Sequence, residues 1–144
     1  MTENWERNYQ PISKFVYVTI NGNLTNSGLK NHLDTYRDEC LEMDGLLELC
    51  ELRGIVSTDG LAVSYVSEQA QETAEYNHFK NGRLAFVVAN AVQKGYARAW
   101  MAFGEQAGRN VAMFTELNDA IMFLYEGEWI KYIEATIEFV RSRT

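Results

Sequence analysis

The stretch Leu46-Leu47-Glu48-Leu49-Cys50-Glu51-Leu52-Arg53-Gly54 decides the fold of this chain. It is rich in leucine and is bounded by glycines, which is typical of a strand buried in the centre of a sheet. A polar turn, Ile55-Val56-Ser57-Thr58-Asp59-Gly60, follows, and a helical pattern resumes at Leu61. The turn is therefore expected where a strand's carboxyl end meets a helix's amino end, the usual position of a site in an open α/β sheet.

Strand and helix patterns alternate on both sides of that stretch. Residues 5–9 and 15–20 have strand character, and the turn between them holds the only proline, which predicts an antiparallel hairpin. Later strands are predicted at residues 83–89 and 111–114, and apolar stripes at helical spacing lie between the strands. This alternation predicts an α/β fold with a mixed, mostly parallel sheet and one antiparallel edge.

Composition limits both the class of protein and its partners. A chain of 144 residues with 47% hydrophobic and 23% charged residues is predicted to form a single globular domain over 1–144. Its net charge of −7 would repel a phosphate backbone or an anionic membrane, which argues against nucleic-acid and membrane-surface roles. No apolar run suits a membrane span, and the first residues do not resemble a signal peptide, so a cytoplasmic location is expected.

Cysteine and histidine are too sparse to predict a metal site. Cys40 falls on a helical stripe and Cys50 within the central strand, so both are expected to be buried, reduced thiols. His32 and His78 lie far apart in the sequence, without the close ligand spacing that a metal site needs. We therefore expect no metal and no cofactor, and we interpret His32 as a structural residue.

The last helix, expected within residues 127–144, has a broad apolar face. Ile130, Ile133, Ile137 and Val140 form one stripe, and Trp129, Tyr132 and Phe139 lie beside it. One interpretation is that the helix lies deep in a groove of its own domain. The alternative is that the aromatic side chains Trp129, Tyr132 and Phe139 form a homodimer contact.

Several short motifs occur in an order that resembles the SpoIIAA-like branch of the STAS family over about residues 5–125. They are Gly22-x-Leu24-Thr25, Leu49-x-x-Leu52-Arg53-Gly54, Gly95-Tyr96-x-Arg98 and Phe114-x-x-Leu117-x-x-Ala120-Ile121-x-x-Leu124. The resemblance implies a sheet of four or five strands with helices mainly on one face, to which residues 127–144 add a C-terminal helix. It also implies a non-enzymatic role in protein interaction or regulation.

In STAS proteins that antagonise anti-sigma factors, a serine in an Asp-Ser-Ser-Gly turn at the head of a helix is phosphorylated by a kinase partner. The matching turn here keeps two hydroxyl residues and a glycine but places Asp59 after Ser57 and Thr58. The resemblance makes Ser57, Thr58 and Asp59 candidates for phosphorylation or partner contact. The alternative is that one of them caps the following helix.

Two other classes of function stay open at this point. A looser likeness to CRAL-TRIO lipid-binding domains suggests a carrier of a small hydrophobic ligand, and its pocket candidates are Tyr65, Phe86, Trp100 and Phe103. An enzyme would need cooperating carboxylates, but Glu48 and Glu51 are three positions apart and so lie on opposite faces of a strand. Glu51 is expected to pair with Arg53.

Lys94 and Arg98 are candidates for contact with an anion near the carboxyl edge of the sheet. Arg98 belongs to the motif Gly95-Tyr96-x-Arg98, which follows the predicted strand at 83–89, and Lys94 directly precedes this motif. The alternative is that Arg98 is an exposed arginine on the face of a helix.

Overall fold

The computed structural model describes residues 4–10, 14–106, 110–125 and 130–144. In these ranges a five-stranded sheet has the order β1-β2-β4-β6-β7. Its strands are β1 (Trp5–Gln10), β2 (Phe15–Ile20), β4 (Leu47–Glu51), β6 (Arg83–Val87) and β7 (Asn110–Phe114). β1 is antiparallel to β2 and the other pairs are parallel, which confirms the predicted mixed sheet with one antiparallel edge.

A second, smaller sheet was not predicted. It pairs β3 (Gly22–Asn23) with β5 (Ile55–Ser57) in parallel, just beyond the ends of β2 and β4. Strands of two or three residues are too short to carry a hydrophobic period. For that reason the polar stretch after the central strand looked like a plain loop in the sequence.

Helices cover both faces of the large sheet. They are α1 (Asn26–Glu39), α2 (Val63–Thr73), α3 (Asn77–Lys80), α4 (Ala91–Gln106), α5 (Leu117–Tyr125) and α6 (Ile130–Arg141). Side chains from the first four pack on one face and side chains from α5 and α6 pack on the other. No helix in the described ranges combines the length and apolar character needed to cross a membrane.

The central strand β4 explains this two-sided packing. Its side chains alternate, so that Cys50 joins the core under α1, α2 and α4, while Leu49 joins the core under α5 and α6. Glu48 points to the same face as Cys50, and Leu47 to the same face as Leu49. A strand with both faces buried is the reason why the sequence of β4 is dense in apolar residues.

A polar network is buried in the first core. His32 is 3% exposed and stacks on Trp5 with ring centroids 3.9 Å apart. Arg7 Nη1 lies 3.1 Å from His32 Nδ1, and since a guanidinium can only donate, Nδ1 accepts and carries no proton. Burial, and then the charge of Arg7, lower the pKa of His32 well below its ordinary value. His32 is thus a buried, structural histidine.

The folded protein should lose stability as pH falls below the ordinary histidine pKa of about 6.5. His32 stays neutral in the folded state, whereas the same histidine takes up a proton in the unfolded chain. The free energy of unfolding should therefore fall by up to about 1.4 kcal/mol for each pH unit below that value. Urea unfolding from neutral pH to about pH 5 would measure this slope.

The matched variant is His32→Asn, whose amide oxygen can still accept from Arg7. It should be less stable at every pH because it loses the stacking on Trp5. Its stability should nevertheless fall less steeply than that of the wild type over the same pH range. An unchanged slope would show that His32 does not cause the pH dependence.

Candidate functional site

The candidate site is built at the carboxyl end of β4, where the backbone passes very close to β2. A Cβ atom at residue 54 would lie 2.5 Å from the carbonyl oxygen of Ile20. Real Cβ atoms essentially never come that close to another heavy atom. Gly54 also accepts a hydrogen bond from Gly22 N at 2.9 Å. Only glycine allows this crossing, and the crossing brings β5 alongside β3.

The turn after β5 is fastened to the start of α1. Ser57 O accepts from Leu24 N at 2.8 Å, and Gly60 O accepts from Asn26 N at 3.0 Å. Asn26 Oδ1 in turn accepts from Ala62 N at 3.0 Å. These bonds join residues more than 30 positions apart, so the turn has a defined position relative to α1.

The helix that follows starts later than predicted, and the predicted capping role of the turn is wrong. α2 begins at Val63 rather than Leu61, and its N-cap residue, Ala62, makes no side-chain capping bond. Ser57 Oγ instead accepts from Asp59 N at 3.1 Å within the turn, and Thr58 O accepts from Leu61 N. The turn therefore precedes the helix as a separate element, because β5 and its pairing with β3 occupy the chain first.

Gln93 connects this turn to the neighbouring loop. It is 1% exposed, and its Oε1 accepts from Ala89 N at 2.7 Å. Its Nε2 donates to Arg53 O at 3.1 Å and to Ile55 O at 3.2 Å. One buried amide thus bridges the loop after β6 and the loop after β4. The sequence analysis missed Gln93, although Asn90-x-x-Gln93 has the spacing of a capping box and Asn90 Oδ1 does accept from Gln93 N.

An apolar groove lies between the turn, α2 and the first half of α4. We call it the α2–α4 groove, and its volume is about 190 Å³. It is lined by Thr58, Leu61, Val63, Val66, Ala91, Val92, Gly95, Tyr96 and Ala99. The groove adjoins the turn at 57–60, so the structure brings Thr58 to an apolar surface that the sequence analysis did not identify.

Exposed valines extend this apolar surface. Among the described residues five large hydrophobic side chains are exposed, and three of them are Val56 at 79%, Val63 at 69% and Val92 at 45%. Val63 and Val92 line the groove, and Val56 is in the strand that leads into the turn. Their exposure had no sequence signal, since an isolated valine in a predicted strand or helix is usually expected to be buried.

Ser57 and Thr58 are half-buried and Asp59 is exposed, so the three turn candidates lie at the surface together. Lys94 is half-buried and Arg98 is exposed, one turn apart on α4. Their contact with an anion stays a prediction. Arg53 Nη2 lies 2.7 Å from Glu51 Oε2, which confirms the predicted ion pair.

The ligand-pocket candidates do not enclose a lipid-sized cavity. Phe86 and Trp100 are buried and line an internal cavity of about 20 Å³, and Tyr65 is only packed against the edge of that core. A cavity of that size holds about one water molecule. The side chain of Phe103 lies outside the described residues. In the described core, the carrier hypothesis therefore gains no support.

The two carboxylates of β4 are separated by the sheet, as predicted. Glu48 lies on the face that α1, α2 and α4 cover, where it accepts a hydrogen bond from the hydroxyl of Tyr36 at 2.8 Å. Glu51 lies on the opposite face and accepts from Arg53. Burial, and then the negative charge of Glu48, raise the pKa of Tyr36 well above its ordinary value, so this hydroxyl stays a donor. Among the residues described, no group of three or more histidine, cysteine or acidic side chains is placed to hold a metal ion.

Of the dimer candidates, Phe139 is engaged within its own chain. Its ring meets that of Phe15 edge-on at 5.9 Å, and Arg143 Cζ lies 3.6 Å from the centroid of the Phe139 ring. Ile133 and Val140 of the same helix are buried in the second core. Trp129 and the side chain of Tyr132 lie outside the described residues, so the dimer contact through them stays a prediction.

The mixed sheet and its helices form an α/β fold of the SpoIIAA-like type, as comparison with solved structures shows. The chain is similar to an uncharacterized protein of the DUF3478 family with a SpoIIAA-like fold from Shewanella loihica PV-4. The TM-score is 0.57 at 14% identity, over 86% of this chain and 98% of that chain. At that identity the likeness extends to the fold alone. No protein-family model and no curated protein matches the sequence.

Replacing Gln93 by leucine should destabilise the protein by about 1–3 kcal/mol. Leucine has a similar size but would leave Ala89 N, Arg53 O and Ile55 O without the partner that Gln93 provides. Denaturant unfolding measures the loss, and Gln71→Leu on the exposed side of α2 is the control. Equal stability of the two variants would contradict the bridging role.

Proposed function

We propose that this chain is a non-enzymatic protein-interaction module that regulates a protein partner bound at the α2–α4 groove. The observation that carries the proposal is the exposure of two valines, Val63 and Val92, that line that groove. Fully burying a valine side chain contributes about 1.5–3 kcal/mol, so covering Val63 and Val92 would contribute substantially to the affinity for a partner.

The size of the groove favours a protein partner over a small molecule. Ligand pockets usually have a volume of about 300–1,000 Å³, and the groove has about 190 Å³. That volume suits one or two apolar side chains presented by another protein. The turn at 57–60 would lie at the rim of such an interface, where polar residues are common.

Gly95 supports the same assignment. It lies within α4 and lines the groove, and a Cβ there would meet no atom of the described residues within 4 Å. Glycine costs a helix about 1 kcal/mol relative to alanine, and no contact within the described part of the chain requires it. A partner whose backbone approaches α4 closely at this position would explain the glycine.

We further propose that modification of Ser57 regulates the interaction. A phosphate would add about −1.5 to −2 charge next to Asp59 and would disturb the bond that Ser57 Oγ accepts from Asp59 N. The added charge would oppose the docking of an apolar or acidic partner.

Two buried, free cysteines are compatible with a reducing compartment, and they support the cytoplasm as the proposed location.

Site-specific photo-crosslinking at residue 92 in the native host should capture one protein partner. Residue 122 on α5 is the matched control, because Met122 is 48% exposed, against 45% for Val92, but belongs to the opposite face of the sheet. We expect an adduct at 92 and none of the same mass at 122. Val63→Glu should then abolish the adduct at 92, whereas Met122→Glu should leave it intact. Equal labelling at both positions would refute the groove as the binding surface.

The captured partner also tests the proposed switch. Ser57→Glu should weaken its binding at least about tenfold, a loss of about 1.4 kcal/mol, through the added charge beside the groove. Ser57→Ala removes the hydroxyl without adding charge and should weaken binding far less. Binding is measured by calorimetry with purified proteins. Equal affinity of the two variants would remove Ser57 as a charge switch and leave the groove assignment standing.

A further inference from the structure

The two edge strands of the large sheet, β1 and β7, differ in their content of charged residues. β1 carries the exposed, charged residue Glu6, and a charge on an edge strand discourages pairing with another chain. β7, at the other edge, reads Asn-Val-Ala-Met-Phe and has neither a charge nor a proline. The residues Val111, Ala112, Met113 and Phe114 are all half-buried. In the described part of the chain, β7 is therefore the edge without protection.

The outward-facing backbone groups of β7 can be identified from its pairing. Phe114 O accepts from Val88 N at 2.9 Å, so the backbone of Phe114 points inward to the strand β6. Because the direction alternates along a strand, Asn110 and Ala112 also point inward, while Val111 and Met113 point outward. The N–H and C=O groups of Val111 and Met113 thus form the free edge on either side of Ala112.

We propose that β7 pairs in antiparallel fashion with β7 of a second copy of this chain, about a two-fold axis through Ala112. In that register Val111 is opposite Met113 of the second copy, and each such pair exchanges two backbone hydrogen bonds. The two five-stranded sheets become one continuous sheet. The edge is self-complementary because its two outward-facing residues are placed symmetrically about Ala112, which is the requirement of a two-fold interface.

Side chains fit this register as well. Ala112 would lie opposite Ala112 of the second copy in a non-hydrogen-bonded pair. In such a pair the Cα atoms approach to about 4.5 Å, so a small side chain is an advantage. Asn110 would face Phe114 of the second copy. No charged side chain of β7 would be placed against another, although each chain carries a net charge of −7.

Disulfide trapping of two single variants tests the register directly. Ala112→Cys should cross-link rapidly under mild oxidation, because a Cα separation of about 4.5 Å at the axis lies within the range of about 4.4–6.8 Å for disulfides. Asn110→Cys is the control. Residue 110 is more exposed than residue 112, but in this register it lies about 14 Å from residue 110 of the second copy.

The native thiols should not interfere with trapping. Cys40 and Cys50 are 2% and 3% exposed, and burial raises the pKa of both thiols. We expect at least about tenfold faster dimer trapping for Ala112→Cys than for Asn110→Cys, a margin equivalent to about 1.4 kcal/mol. Equal trapping of the two, or faster trapping of Asn110→Cys, would overturn the register.

Sedimentation of the unmodified protein completes the test. The wild type should be a dimer, and Met113→Pro should be a monomer with an unchanged circular dichroism spectrum, because proline removes only an outward N–H. Ala112→Pro removes an inward N–H and should instead destabilise the fold, which confirms the assigned directions. A monomeric wild type, as expected if β7 accepts an extended peptide from another protein, would overturn the proposal. So would a folded Met113→Pro variant that stays dimeric, since the contact would then lie elsewhere, for example on α6.

Discussion

The close passage of the backbone at Gly54 past the end of β2 determines where every later element of the site lies. Because the chain crosses there, β5 can pair with β3, and the turn at 57–60 is drawn onto the start of α1. α2 then starts beside the first half of α4, which leaves the α2–α4 groove between them. Gln93 holds the crossing from the other side through its bonds to Arg53 O and Ile55 O. A steric constraint at one residue thus determines, through these hydrogen bonds, the shape of the α2–α4 groove.

Much of the fold is predictable because its strands have long apolar patterns. The runs at β2, β4 and β6 are buried on both faces, and burial of that kind leaves a clear compositional mark. β5 is different, since Ile55, Val56 and Ser57 alone have no period and their pairing partner lies more than 30 residues earlier. Short non-local pairings of this kind are fixed by tertiary contacts and leave no local pattern.

The candidate site was predictable in position but not in chemistry. The turn at the carboxyl end of the central strand was identified from topology alone, and Thr58 does lie at the groove. The exposure of Val56 and Val63 depends on which side of each backbone faces the core, and the sequence pattern around them does not show that side. A hydrogen bond such as that from Ala62 N to Asn26 Oδ1 joins positions that no local rule connects. The site therefore depends on contacts that only the folded chain brings together.

Sheet order also has a consequence for synthesis on the ribosome. The strands of the large sheet follow the order of the chain, so each new strand can pair with one that has already emerged. α1 and α2 follow early and cover the first face, but the second face, with Phe15, Tyr17 and Leu49, is covered by α5 and α6. Those helices are translated after all five strands of the sheet. A nascent chain therefore carries an uncovered apolar face until α5 and α6 have emerged, and a polypeptide truncated before residue 117 would keep that face exposed to chaperones.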